Sequence, residues 1–200
     1  MKKRVSGRAF LLIVLILTVS LIYQYSMGKN HSEQWEVSGM KDEIMNAVRE
    51  NNYNKINELF KNEAEVNTKY ERDRTLLMTA VYNDNYDVTK LLIEKGADIN
   101  AQDDMKNNPF LYSGAEGQLD ILKLLVRAGA DTKITNRYGG VALIPASERG
   151  HTETVKYLLE NTDIDVNHIN NLGWTALLET VILGDGGKKY VEITGLLLKH

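Results

Sequence analysis

The sequence predicts an all-α repeat solenoid, in which stacked helix–turn–helix units with short turn or hairpin connections follow an apolar N-terminal helix. Three observations predict it. A short motif returns at a step of 33 or 34 residues, and apolar residues ahead of three of its copies fall at helical spacing. Two prolines in 200 residues leave little to interrupt helices.

From the N-terminus, Ala9 to Tyr23 is an uncharged apolar run behind Lys2, Lys3, Arg4 and Arg8, the pattern of an export segment. As a helix this run spans about 22 Å, short of the roughly 30 Å hydrocarbon core. Extension to Met27 lengthens it and places Tyr23 and Tyr25 where interfacial aromatics sit. Ser26-Met27-Gly28 is a mediocre cleavage site, so residues 1–28 read as a signal peptide or as an N-terminal transmembrane anchor. In both cases the positive-inside bias sends the rest of the chain out of the cytoplasm. It is then membrane-anchored, or secreted or periplasmic if the segment is removed. Residues 29–40 read as a polar linker.

The repeat occupies residues 41–200. Glu63-Ala64-Glu65-Val66-Asn67 returns as Gly96-Ala97-Asp98-Ile99-Asn100 and Gly129-Ala130-Asp131-Thr132-Lys133, in steps of 33 residues. A fourth copy ends Ile164-Asp165-Val166-Asn167. Apolar runs precede three of them: Leu91-Leu92-Ile93, Leu124-Leu125-Val126 and Tyr157-Leu158-Leu159. A second motif recurs about one helix pair earlier in each unit, as Thr75-Leu76-Leu77-Met78, Asn108-Pro109-Phe110-Leu111, Val141-Ala142-Leu143-Ile144 and Thr175-Ala176-Leu177-Leu178. The units run about 41–72, 73–105, 106–138, 139–171 and 172–200, the last incomplete.

This pattern resembles the ankyrin repeat family, whose unit is a turn, a Thr-Pro-Leu-His-type helix start, two antiparallel helices and a Gly-Ala-Asp close. No unit here keeps the whole helix-start motif, and Gly150-His151 alone keeps the Gly-His between helices. Thr75 and Thr175 stand where a side chain can cap a helix, and Gly96 and Gly129 where a helix closes left-handed. Asn51, Asn52 and Gly117 fall at inter-helix turns, where His151 is expected to bond backbone. Gly184-Asp185-Gly186-Gly187-Lys188-Lys189-Tyr190 is read as a longer turn within the fifth unit. The chain stops at Leu196-Leu197-Leu198-Lys199-His200, where the family would continue Gly-Ala-Asp. Truncation of a longer array is therefore expected, since solenoids need a polar last unit.

The net charge of −3 averages two unlike parts. From Gly28 onward there are 20 basic and 27 acidic residues, which argues against phosphate-backbone binding and nucleic acid as a partner. The absence of cysteine excludes disulfides, thiolate metal sites and a lipidated Cys anchor. Neither a nucleophile–base pair nor a metal or dinucleotide motif occurs, so no enzyme, metal or cofactor is expected. Asp103-Asp104 and Asp163-x-Asp165 fall in turns, where aspartate bonds backbone.

What remains is recognition of a protein by a monomer. The resemblance implies contacts from turn tips and first helices on the concave face. Carried onto this sequence, these are Glu71, Arg72, Arg74 and Thr79 in the second unit, and Asp104, Met105, Asn107 and Tyr112 in the third. The fourth supplies Arg137 and Tyr138, and the fifth Asn171, Leu172, Trp174 and Glu179. Tyr138 and Trp174 could equally pack between adjacent turns. Two functions stay open: an interaction module of a bacterial type shown outside the cytoplasmic membrane, or an accessory, inhibitory or protective partner of an exported enzyme or toxin.

Overall fold

The computed structural model describes residues 39–60 and 65–200. The apolar run at residues 9–23, the cleavage site and most of the linker lie outside the described residues. Among those residues no helix is long and apolar enough to cross a membrane. The chain divides into two compact units, 1–43 and 44–200. Of the first, residues 39–43 are described and are helical.

The second unit is built from paired helices, with no strand among the described residues. Helical residues 44–49 (α1) precede α2 (Tyr53–Leu59), and α3 (Leu76–Tyr82) precedes α4 (Tyr86–Glu94). Then follow α5 (Pro109–Glu116) with α6 (Leu119–Arg127), α7 (Leu143–Glu148) with α8 (Thr152–Asn161), and α9 (Ala176–Leu183) with α10 (Lys188–Lys199). First helices stack on first helices, α3 on α5 on α7 on α9. Second helices stack likewise, α2 on α4 on α6 on α8 on α10.

Helix starts follow local chemistry. Thr75 and Thr175 accept from the backbone N–H three residues on, at 3.1 and 3.2 Å. Asn52, Asn85 and Asn108 cap three further helices in the same way. Both prolines sit in first turns, Pro109 of α5 and Pro145 of α7, where a missing N–H costs nothing. Gly96 and Gly129, with φ of 86° and 89°, end α4 and α6. Each glycine N–H bonds three residues back and the following alanine N–H five back, all at 3.0 Å, a Schellman closure. α8 has no such glycine; the Thr162 hydroxyl donates to the Leu158 carbonyl instead.

The core is segmented along the stack. One buried cluster joins units one and two through Ile44, Val48, Ile56, Leu76, Leu77 and Leu92. A larger one joins units three to five through Phe110, Leu122, Leu143, Val155, Leu158 and Ile193. Val81, Ile121 and Leu125 form a small cluster between them. Side-chain amides add inter-unit bonds: Asn67 accepts from Asp98 N–H and Asn100 from Asp131 N–H.

Two expectations change. The Gly-rich insertion of unit five predicts a longer turn, yet its inter-helix turn is Gly184–Gly187, one residue longer than Asn83–Asn85 of unit two. The rest becomes helix: α9 has 8 residues against 7 in α3, and α10 has 12 against 9 in α4. Tyr190 explains the extra helical turn, because its hydroxyl donates to the Glu148 carbonyl of the preceding unit. His151 does bond backbone, but not at its own turn. Its ring reaches the Ala115 carbonyl of unit three at 3.1 Å, as Gln118 reaches Val81 one unit earlier.

Candidate functional site

Each turn tip of units three to five is organised by one side chain. Asp103, Asn136 and Asn170 each accept two backbone N–H bonds, from the residues two and four positions on, at 2.9–3.0 Å. A backbone bond closes each loop: Asp103 N–H to Asn107 O, Asn136 to Gly140 and Asn170 to Trp174. The third position on is left-handed in every tip: Lys106, Gly139 and Gly173, with φ of 57°, 71° and 80°. Neighbouring tips are tied by Asp104 N–H to Arg72 O and Asn171 N–H to Tyr138 O. The sequence carries this device as an Asx residue recurring at a step of 33 or 34.

The predicted contact residues fall into two groups. At the N-terminal end, Glu71 and Arg72 lie in a 3₁₀ turn (Glu71–Asp73), and Arg72 Nε bonds Asp104 Oδ2 at 3.1 Å. The Arg74 guanidinium lies 4.3 Å from the Tyr82 ring centre, and that ring lies 4.2 Å from the Tyr112 ring. The Tyr82 hydroxyl donates to Asp103 at 2.9 Å, and burial is the main cause that pushes this phenol's pKa up. The Thr79 hydroxyl turns back to the Thr75 carbonyl of its own helix.

The second group frames a groove of about 380 Å³ spanning units three to five. Met105, Asn107 and Tyr112 line one end, Arg137 and Tyr138 the middle, and Leu172, Trp174 and Glu179 the other end. Glu71, Arg72, Arg74, Thr79, Asp104 and Asn171 are not part of its lining. Tyr138 and Leu172 are 53% and 68% exposed, so both present apolar surface to a ligand, whereas Trp174 is half-buried. Arg137 lies over the Tyr138 ring, donates to its hydroxyl at 2.6 Å and reaches Met105 Sδ.

Glu179 differs from the expectation of a surface contact. It is 7% exposed on the first turn of α9, held by Asn170 Nδ2 at 2.7 Å. Burial first, and then the nearby Glu148, raise its carboxyl pKa. Glu116, Pro145, Glu148, Arg149 and Leu183 also line the groove and were missed. Glu116 and Leu183 lie one helical turn beyond the chosen Tyr112 and Glu179, whereas Pro145 is the fourth-unit equivalent of those two positions, 33 residues after Tyr112, with Glu148 and Arg149 three and four residues beyond it. Arg149 is committed to Glu116 and to the Ala115 carbonyl.

The turn aspartates of the Asp163-x-Asp165 group are engaged in the fold. Asp163 accepts from Thr132 and pairs with Lys133, which lowers its carboxyl pKa, with the Thr132 bond as the largest cause. Asp165 accepts from Asn167 N–H.

The likeness to known proteins follows the array. A family model described as ankyrin repeats (3 copies) matches residues 44–136 and 113–200. YahD of Escherichia coli (strain K12), named as an ankyrin repeat protein, is 55% identical over 64 residues, 32% of each chain. The match thus spans about a third of that relative's length. A solved ankyrin repeat domain from Acinetobacter baumannii AYE is 46% identical, with a TM-score of 0.76, covering 78% of this chain and 79% of that one. The solved ankyrin repeat protein EF0377 is 37% identical, with a TM-score of 0.75 and coverage of 78% and 80%. Helix pairing, turn tips and family match agree: the chain belongs to the ankyrin repeat family, whose repeats are protein-interaction modules.

Proposed function

We propose that this chain is a non-catalytic interaction module that holds a protein partner in the groove of units three to five, with its repeats outside the cytoplasmic membrane. The observation that carries the groove is its lining. Tyr138, Leu172 and Trp174 stand on rigid, side-chain-stapled tips and offer apolar and aromatic surface beside Arg137, the residue types that dominate interface energetics. The basic flank and apolar run of residues 1–28 support the location. A monomer is proposed.

The test is cross-linked capture from the native cells by wild type and by Tyr138→Ala/Leu172→Ala/Trp174→Ala. One discrete product is expected with wild type, weakened at least about tenfold in the triple variant, since hot-spot truncations cost about 2 kcal/mol or more. Unchanged capture would refute this face. Protease accessibility of the repeats in spheroplasts tests the location, and protection of the repeats counts against it.

A further inference from the structure

The C-terminal end of the groove carries charge that the fold leaves uncompensated. Glu148 is the last residue of α7 and Glu179 lies in the first turn of the stacked helix α9. Both line the groove where Trp174 and Leu183 form apolar wall. Among the described residues, neither carboxylate forms an ion pair. Glu179 takes one hydrogen bond, from the neutral Asn170 amide. Arg149, the nearest arginine in sequence, is spent on Glu116, and Arg137 on Tyr138 and Met105.

A carboxylate 7% exposed with no cation is costly to keep ionised. Its pKa accordingly rises, and the charge contributing to that rise is another carboxylate, with no arginine or lysine acting on it. Such a group is hardly a device for stability. An arriving cation repairs the defect: it neutralises two carboxylates, and its aliphatic stem packs along the apolar walls.

We infer that this end of the groove is a subsite for a cationic side chain, arginine or lysine, flanked by apolar residues on the protein partner. The inference rests on the groove reading above and narrows it to a partner chemistry. Arginine is favoured over lysine because its planar fork can meet both carboxylates at once and stack on the indole.

The test uses the full chain carrying Trp35→Phe, which leaves Trp174 as the one tryptophan. It is titrated with acetyl-Ala-Leu-Arg-Leu-Ala-amide, with the same peptide bearing neutral citrulline for arginine, and with the glutamate version. The arginine peptide is expected to shift Trp174 emission saturably and about tenfold or more tighter than citrulline, as for a buried charge-assisted contact. The glutamate peptide should bind more weakly than either. Glu179→Gln and Glu148→Gln should each remove the preference for arginine over citrulline. The melting temperature of Glu179→Gln should hold or rise, since glutamine keeps the Asn170 contact without a buried charge. That combination separates a binding carboxylate from a structural one, whose loss would lower the melting point.

Equal binding of arginine and citrulline peptides, retention of the preference in Glu179→Gln, or no saturable shift with the arginine peptide each overturns the subsite. The groove itself is judged by the capture experiment: loss of capture in the triple variant together with equal peptide binding leaves the groove standing without the cation.

Discussion

His151 shows how one side chain can serve two neighbouring units and make the array pH-sensitive. Its Nε2–H donates to the Ala115 carbonyl, so the neutral ring already satisfies the bond. Burial, the largest cause, lowers its pKa, and Arg149 and Lys189 push the same way; the Ala115 bond and Glu116 oppose them. The unfolded chain therefore binds a proton more readily than the folded one. Stability from this group is whole above the ordinary imidazole value of about 6.5 and is lost as pH falls through the lower folded value. His151→Gln should keep the contact, as Gln118 does to Val81 at 3.0 Å, and remove the titration. Urea unfolding from pH 7.5 downward checks this: wild type should lose midpoint faster than His151→Gln below about pH 6.5. Parallel curves would show that the imidazole is not the sensor.

The tip is the element that presents the groove, and its left-handed position decides how well it holds. Gly139 has φ of 71°, and a methyl added there would run into the Asn171 side chain and come within 3.2 Å of Asn171 N. That nitrogen donates to Tyr138 O, so the damage would reach the bond between neighbouring tips. Gly139→Ala is expected to cost about 1–2 kcal/mol from backbone strain alone and to weaken capture through Tyr138. Lys106 holds the equivalent place in unit three with φ of 57°, so Lys106→Gly should be neutral or gain up to about 1 kcal/mol. Thermal melts of the two variants check the pair, and equal losses would contradict the role of the left-handed residue. These elements were legible in the sequence to different depths. Thr75, Thr175, Gly96 and Gly129 could be placed because each does its work within one turn of its own helix. The insertion at residues 184–190 read as loop because glycines dominate it; Tyr190, bonded to Glu148 of the unit before, turns much of the addition into helix. Glu148 and Glu179 could not be paired from sequence, since stacking of α7 on α9 brings them to one groove. Glu179 is read from sequence as a partner contact, and its burial and its bond to the Asn170 tip, nine residues before it, come from the folded turn rather than from the helix pattern.

Across the whole array, stability should be partitioned, because each unit touches mainly its neighbours and the core is divided. Units one and two share one buried cluster and units three to five another, with Val81, Ile121 and Leu125 bridging them. The bridge is small but fully enclosed: Leu125 has no exposed surface and reaches the cluster from α6. Polar ties cross the same boundary, namely the exposed Arg72–Asp104 ion pair and Asn100–Asp131 bond and the part-buried Gln118–Val81 bond, each contributing on the order of 1 kcal/mol or less. Leu125→Ala should therefore cost about 2–5 kcal/mol and, more tellingly, uncouple the two halves. In the Trp35→Phe chain, Trp174 fluorescence reports the C-terminal half while far-ultraviolet circular dichroism reports all helices. The two urea transitions should coincide in that parent and separate once Leu125→Ala is added. Leu158→Ala, inside the larger cluster and equally enclosed, should destabilise to a similar degree and move the Trp174 transition to lower urea. The placement of the cut thus sets which half melts first. A single coincident transition in Leu125→Ala would mean that the tip and loop hydrogen bonds, rather than the three bridging side chains, carry cooperativity between units two and three.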